Sequence, residues 1–204
     1  SRFFTKALGF KSDEFKISLA QLNATVGDLS GNTRKVMEAW EIARDQRSDL
    51  IAFPELFITG YNPQDLILKT AFQKAATSSI EKIATACSQG PAIAIGGPFC
   101  DDDKLYNSYY ILAGGKIQAV IKKHHLPNEE VFDEVRLFSS GNVDGPFQIG
   151  KMRIGSPICE DAWHTDIVET LAETGAQTLL VPNGSPYYRG KTDIRQNVMV
   201  SRVV

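Results

Sequence analysis

The chain has 204 residues, 43% of them apolar and 23% charged, which is ordinary globular usage and enough length to bury a core. With 22 basic residues against 24 acidic ones the formal net charge is -2, so no strong field marks a nucleic-acid or membrane surface as partner. No apolar run approaches the roughly 20 residues that span a bilayer. Three cysteines (Cys87, Cys100, Cys159) at no metal-like spacing argue against a disulfide framework and for a cytoplasmic home.

Residues 1–14 lack the apolar stretch and cleavage site of a secretory signal and read as an N-terminal extension or tag remnant. Residues 15–22 then read as a strand and residues 32–47 as an amphipathic helix with Val36, Trp40 and Ala43 on one side. A short buried strand at 50–53 is closed by Pro54, and residues 71–87 form a second helical pattern. Residues 92–95 predict a strand ending at Gly96-Gly97. The segments 106–112 and 116–121 flank Gly114-Gly115 as a hairpin. A strand at 151–158 runs into Cys159, a helix over 164–173 is capped by Gly175, and a strand follows at 178–181. Residues from Lys191 onward are expected to be helical, and the chain is expected to stop within that helix as part of something longer. Alternating strands and helices with one hairpin predict an α/β fold with a mixed sheet in one domain.

Three segments carry chemistry. Phe53-Pro54-Glu55-Leu56 places a carboxylate just past a central strand, where α/β sheets hold ligands. Taken alone, an exposed strand-end Glu is the commoner outcome. Lys123-His124-His125-Leu126-Pro127 ends a strand with a cation able to stabilise an oxyanion, although for this segment alone a basic strand end with no role is the commoner outcome. A metal at His124 and His125 is disfavoured, because adjacent residues of an extended chain point opposite ways and His164 is the one other histidine. Pro157-Ile158-Cys159-Glu160-Asp161 delivers a cysteine to a strand-to-helix turn. There a helix N-terminus favours the thiolate, and the following N–H groups face an oxyanion. Cys87 fits a buried inert position, and Cys100 sits before three aspartates in a polar turn, so neither shares the setting of Cys159. Together the segments supply nucleophile, base and cation for thiol-dependent acyl transfer. No GxSxG, Walker A or GxGxxG sequence competes.

The segments FPELFITGY (53–61), KKHHLPN (122–128) and ICEDAW (158–163) resemble, in order and separation, the nitrilase superfamily of carbon-nitrogen hydrolases. AQLNATVGDLSGN (20–32), GYNPQDLILK (60–69), VFDEVRLFSSG (131–141) and PNGSPYYRGK (182–191) further resemble the N-terminal glutaminase domains of bacterial glutamine-dependent NAD synthetases. The resemblance covers residues 15 to the C-terminus. It implies a four-layer α-β-β-α sandwich with Glu55 as general base, Lys123 as oxyanion stabiliser and Cys159 as nucleophile. By the same analogy the backbone N–H of Glu160 joins the oxyanion hole, Tyr61 lines the pocket, and Ser185 and Lys191 grip the glutamine α-amino and α-carboxylate groups. Where that subgroup has an aromatic and then a small residue after LPN, this chain has Glu129 and Glu130: either an aromatic pocket wall is lost or an additional carboxylate is gained, with Glu129 as the candidate pocket residue, which leaves fine substrate recognition open but not the triad.

The implied activity is glutamine amide hydrolysis with no cofactor or metal in this domain. The ammonia passes to a C-terminal synthetase domain that uses ATP and Mg2+ to make NAD from nicotinic acid adenine dinucleotide. That domain's phosphate loop is absent from these residues, and the sandwich is expected to be incomplete at its C-terminal side. Homo-oligomeric assembly is implied as well. A stand-alone amidase or carbamoylase and a non-catalytic scaffold are the alternatives.

Overall fold

The computed structural model describes residues 4–8, 15–128, 133–184 and 197–202. Three of the expected substrate-binding residues, Glu129, Ser185 and Lys191, lie outside the described residues. Phe4–Leu8 (β1) pairs antiparallel with Phe15–Leu19 (β2), so part of the expected extension forms a sheet edge. Helix α1 (Leu29–Asp45) follows, with the Asp28 side chain accepting from the Gly31 amide at 2.9 Å as its cap. Val36, Ala39, Trp40 and Ala43 recur at three- and four-residue spacing and are buried, as an amphipathic helix requires.

Strand β3 (Leu50–Ala52) is buried throughout and lies parallel to β2 and to β4 (Ala92–Asp101), with α2 (Thr70–Ala86) as the crossover. A hairpin of β5 (Lys104–Ala113) and β6 (Lys116–Lys122) completes a six-stranded mixed sheet in chain order. Its turn sits on Gly114 and Gly115 at φ +62° and +84°, as that dipeptide predicts.

The expected strand end at Gly96-Gly97 is overturned, because β4 runs straight through both glycines. A Cβ on Gly96 would meet the Leu56 backbone nitrogen at 2.1 Å, and one on Gly97 would meet Ile80 Cδ1 at 2.7 Å. The glycines are there for close approach, and they bring β4 against the turn that carries Glu55.

The single turn α3 (Glu134–Leu137) precedes a second sheet of β7 (Phe147–Ile149), β8 (Met152–Gly155), β9 (Thr178–Asn183) and β10 (Asn197–Arg202), in the order β10-β9-β8-β7. Helix α4 (Thr165–Glu173) ends before Gly175, which takes φ +96° as a C-cap glycine does. The expected C-terminal helix is corrected by β10, which pairs antiparallel with β9. Val198 and Val200 alternate there into the core between the sheets, a period of two that suits β-branched side chains.

Four layers result. Helices α1 and α2 pack on the six-stranded sheet through a core that includes Trp40, Ile51, Phe57, Ile80 and Ile95. Leu50, Ala94, Tyr109 and Ile111 of that sheet face Phe147, Ile154, Leu180 and Val198 of the other. Ile167 and Leu171 seat α4 on the outer side of the second sheet, next to Leu179. No helix among the described residues is long and apolar enough to cross a membrane.

Candidate active site

Glu55 stands three residues past the end of β3, where Phe53 makes its last sheet bond to the Ala94 carbonyl at 2.8 Å. The chain then turns sharply through Leu56 at φ +48°, a left-handed conformation costly for a γ-branched residue. Glu55 is not exposed as a strand-end Glu usually is; its side chain has no accessible surface. A buried carboxylate needs partners, and all of them are in place. Its Oε1 accepts from Lys123 Nζ at 2.7 Å and from Asn107 Nδ2 at 2.8 Å, and its Oε2 accepts from the Gly184 amide at 2.8 Å.

Lys123 is the first residue beyond β6, and its amide still bonds the Asn107 carbonyl at 2.8 Å. Its ammonium is fully buried and also donates to Glu134 Oε1 at 3.0 Å. Asn107, in the middle of β5, reaches Glu134 Oε2 at 3.4 Å and so spans both carboxylates. Burial works against the Lys123 charge, yet Glu55 and Glu134 outweigh it and hold the ammonium protonated far above neutral pH. For Glu134 burial dominates over the pull of Lys123, while Glu55 adds repulsion, and its pKa is pushed up to about 7.

Cys159 opens a 3-10 turn (Cys159–Trp163) at φ +46° and packs against the core between the sheets. The expectation that a helix N-terminus favours its thiolate does not hold. The turn is short, α4 starts at Thr165, and burial together with Glu55 raises the thiol pKa well above its ordinary range against the pull of Lys123. The Gly184 amide that binds Glu55 also favours the thiolate form. Tyr61, buried at 7% exposure, lays its ring against Gly184, where an added Cβ would lie 2.6 Å away. The Tyr61 hydroxyl is close to Glu134 without reaching hydrogen-bond geometry, and burial followed by the negative charge of Glu55 raises its pKa strongly.

Asp161 ties the Cys159 turn to the segment that follows Lys123: its carboxylate accepts from the His125 amide at 2.7 Å and the His124 amide at 3.1 Å. The Glu160 side chain is 3.4 Å from His164 Nε2. Glu55, Lys123, Cys159 and Tyr61 are therefore gathered in one place. Sequence reasoning missed Glu134, Asn107 and Gly184. Asn107 was open to detection, being a polar residue inside the apolar run of β5 that needs a buried partner.

A family model described as carbon-nitrogen hydrolase matches residues 16–202. The chain belongs to the carbon-nitrogen hydrolase family. Within that family it is similar to a glutamine-dependent NAD(+) synthetase of Rhodobacter capsulatus, 49% identical over 192 residues, which is 94% of this chain and 35% of the relative. A protein of the same description from Thermotoga maritima is 36% identical and covers 90% of this chain and 32% of the relative. The chain thus spans about a third of the length of these curated relatives. Among solved structures, a glutamine-dependent NAD+ synthetase from Acinetobacter baumannii in complex with ADP superposes with TM-score 0.81 at 34% identity, over 86% of this chain and 33% of that one. An amidase from Nesterenkonia sp. superposes with TM-score 0.72 at 25% identity, over 82% of this chain and 64% of that one. The α/β fold is the one that the nitrilase-type resemblance implies.

Proposed function

We propose that residues 15–204 act as a glutamine amidohydrolase whose ammonia serves a synthetase domain, in the reaction that makes NAD from nicotinic acid adenine dinucleotide. The observation that carries this reading is a fully buried Lys123 ammonium held between Glu55 and Glu134, with Cys159 close enough for all three charges to act on its thiol. A fixed cation, a buried carboxylate and a thiol form the set that covalent amide hydrolysis needs. The similarity to glutamine-dependent synthetases over 94% of the chain supports glutamine over other amides.

In the proposed cycle Glu55 takes the Cys159 proton as the sulfur forms a bond to the amide carbon. The carbonyl π electrons move onto oxygen, where Lys123 and the N–H of Glu160 hold the oxyanion. Glu55 returns the proton to the departing nitrogen, the C–N bond breaks, and ammonia leaves a thioester. Glu55 then deprotonates a water that attacks the thioester, and the proton goes back to sulfur as glutamate leaves. Because burial disfavours a free thiolate, proton transfer accompanies attack. Glu134 keeps Lys123 charged and aimed. Tyr61 walls the pocket, and Glu129, Ser185 and Lys191 are assigned to substrate recognition. No cofactor takes part in these steps; ATP and Mg2+ belong to the synthetase domain. A cytoplasmic, homo-oligomeric enzyme is the setting for this reading.

The test is a diazo-ketone glutamine analogue with adduct mapping by mass spectrometry. Labelling confined to Cys159 and blocked by glutamine supports the reading. Protection by another amide alone replaces it with a stand-alone amidase, and no labelling of folded protein leaves a scaffold.

A further inference from the structure

His124 and His125 do not diverge as neighbours on a strand would. Strand β6 ends at Lys122, so the two residues lie in an irregular segment, and their rings meet edge to face with centroids 4.6 Å apart. Asp166, in the first turn of α4, brings its Oδ1 to 3.4 Å from His125 Nε2. The three ligand-type atoms of His124, His125 and Asp166 lie within 4.8 Å of one another. Donors around a tetrahedral ion with bonds of about 2.0–2.1 Å stand roughly 3.3 Å apart. The His125–Asp166 pair already has that spacing, and a small ring movement brings in His124.

Three further observations describe a supported ligand set. His124 Nδ1 donates to the Gly141 carbonyl at 2.6 Å, which leaves Nε2 with the lone pair that a metal ligand requires. The His125 ring is stacked on His164 at 3.5 Å and 13°, which fixes its plane. The backbone of both residues is pinned by Asp161. We propose that His124, His125 and Asp166 form a binding site for a borderline divalent cation of the zinc type. Two imidazoles and a carboxylate are the donor set such ions prefer over Mg2+ or Ca2+. The ion joins the segment that follows Lys123 to the helix that follows Cys159, clamping the two together outside the catalytic cluster.

The test uses the 204-residue chain carrying Cys159→Ala, which removes the catalytic thiol as a competing ligand. Zn2+ is titrated by calorimetry and by thermal denaturation. One ion per chain, a raised Tm, and at least ten-fold weaker binding in both His124→Ala and Asp166→Asn are expected. Asp166 is 62% exposed, so its variant tests binding without disturbing the core. A Co2+ spectrum free of thiolate charge transfer is expected in the same protein. Absence of Zn2+ stabilisation, or binding undiminished in Asp166→Asn, overturns the site.

Discussion

The Gly184 amide donates to Glu55 Oε2 at 2.8 Å, across 129 residues of chain. This bond is what joins the end of β9 to the carboxylate beside β3. Gly184 is also pressed against the face of Tyr61, where only a residue without a side chain fits. In Gly184→Ala the added methyl pushes the amide away and leaves Oε2 short of a donor. A hydrogen bond to a charged group contributes ~1.5–3 kcal/mol, so the proposed glutamine hydrolysis is expected to fall about 10- to 100-fold. Steady-state kinetics reads the loss; an unchanged kcat means that Glu55 does not depend on this contact.

Lys123→Met leaves two buried carboxylates without their cation. Breaking a buried pair costs roughly 3–5 kcal/mol, and loss of an oxyanion donor reduces kcat at least ~10²-fold. The stability cost is expected to shrink in acid, where protonation relieves the repulsion between Glu55 and Glu134. Urea denaturation at about pH 5.5 and pH 8 measures both values; equal costs at the two pH values would contradict the cluster as described.

Glu134 gives a signature of its own. Its folded pKa of about 7 lies above the ordinary 4.5, so it contributes stability below about pH 4.5 that is lost as pH rises through 7. At about 1.4 kcal/mol per pH unit that amounts to ~3 kcal/mol. Wild type should therefore lose stability over this window relative to Glu134→Gln, in which nothing titrates. Parallel stability curves for the two proteins would show that Glu134 is ionised throughout.

The thiols differ in a way that alkylation resolves. Cys159 carries a pKa raised first by burial and then by Glu55, while Cys100 is exposed and Cys87 is buried with a pKa pushed up to about 11. Iodoacetamide at neutral pH is expected to modify Cys100 first and Cys159 slowly. A glutamine-like electrophile, activated by Lys123 in place, should reverse that order. Peptide mapping over time separates the two reagents, and equally fast reaction of Cys159 with both would mean a preformed thiolate.

Much of this architecture was legible in the residues. The helical spacing of Val36, Trp40 and Ala43 and the glycine pair at 114–115 each determined an element, because local geometry alone decides them. Gly96 misled because its role is set by the Leu56 backbone, which lies 40 residues away in sequence and is invisible to a local pattern. Residues 197–202 misled because a run of valines satisfies either period until a partner strand is known. Glu55, Lys123 and Cys159 were readable from motif order. Glu134 was not, since a glutamate beside Asp133 and Arg136 reads as a solvated turn until the fold buries it. The helix-dipole argument for Cys159 failed because burial is the larger effect there.

The parts of the cluster differ in how far apart they lie along the chain. Lys123, Asn107 and Glu134 meet Glu55 and one another over separations of 11 to 68 residues, all within the first sheet and α3. Cys159 and Gly184 come from the second sheet, and Gly184 closes a span of 129. Shorter loops close with less entropy loss and tend to form earlier. A chain still being synthesised or refolded is therefore expected to hold Glu55 and Lys123 together before Cys159 faces them. Such a half-made chain is chemically silent, and the appearance of an analogue-reactive Cys159 times the moment at which the two sheets lock together.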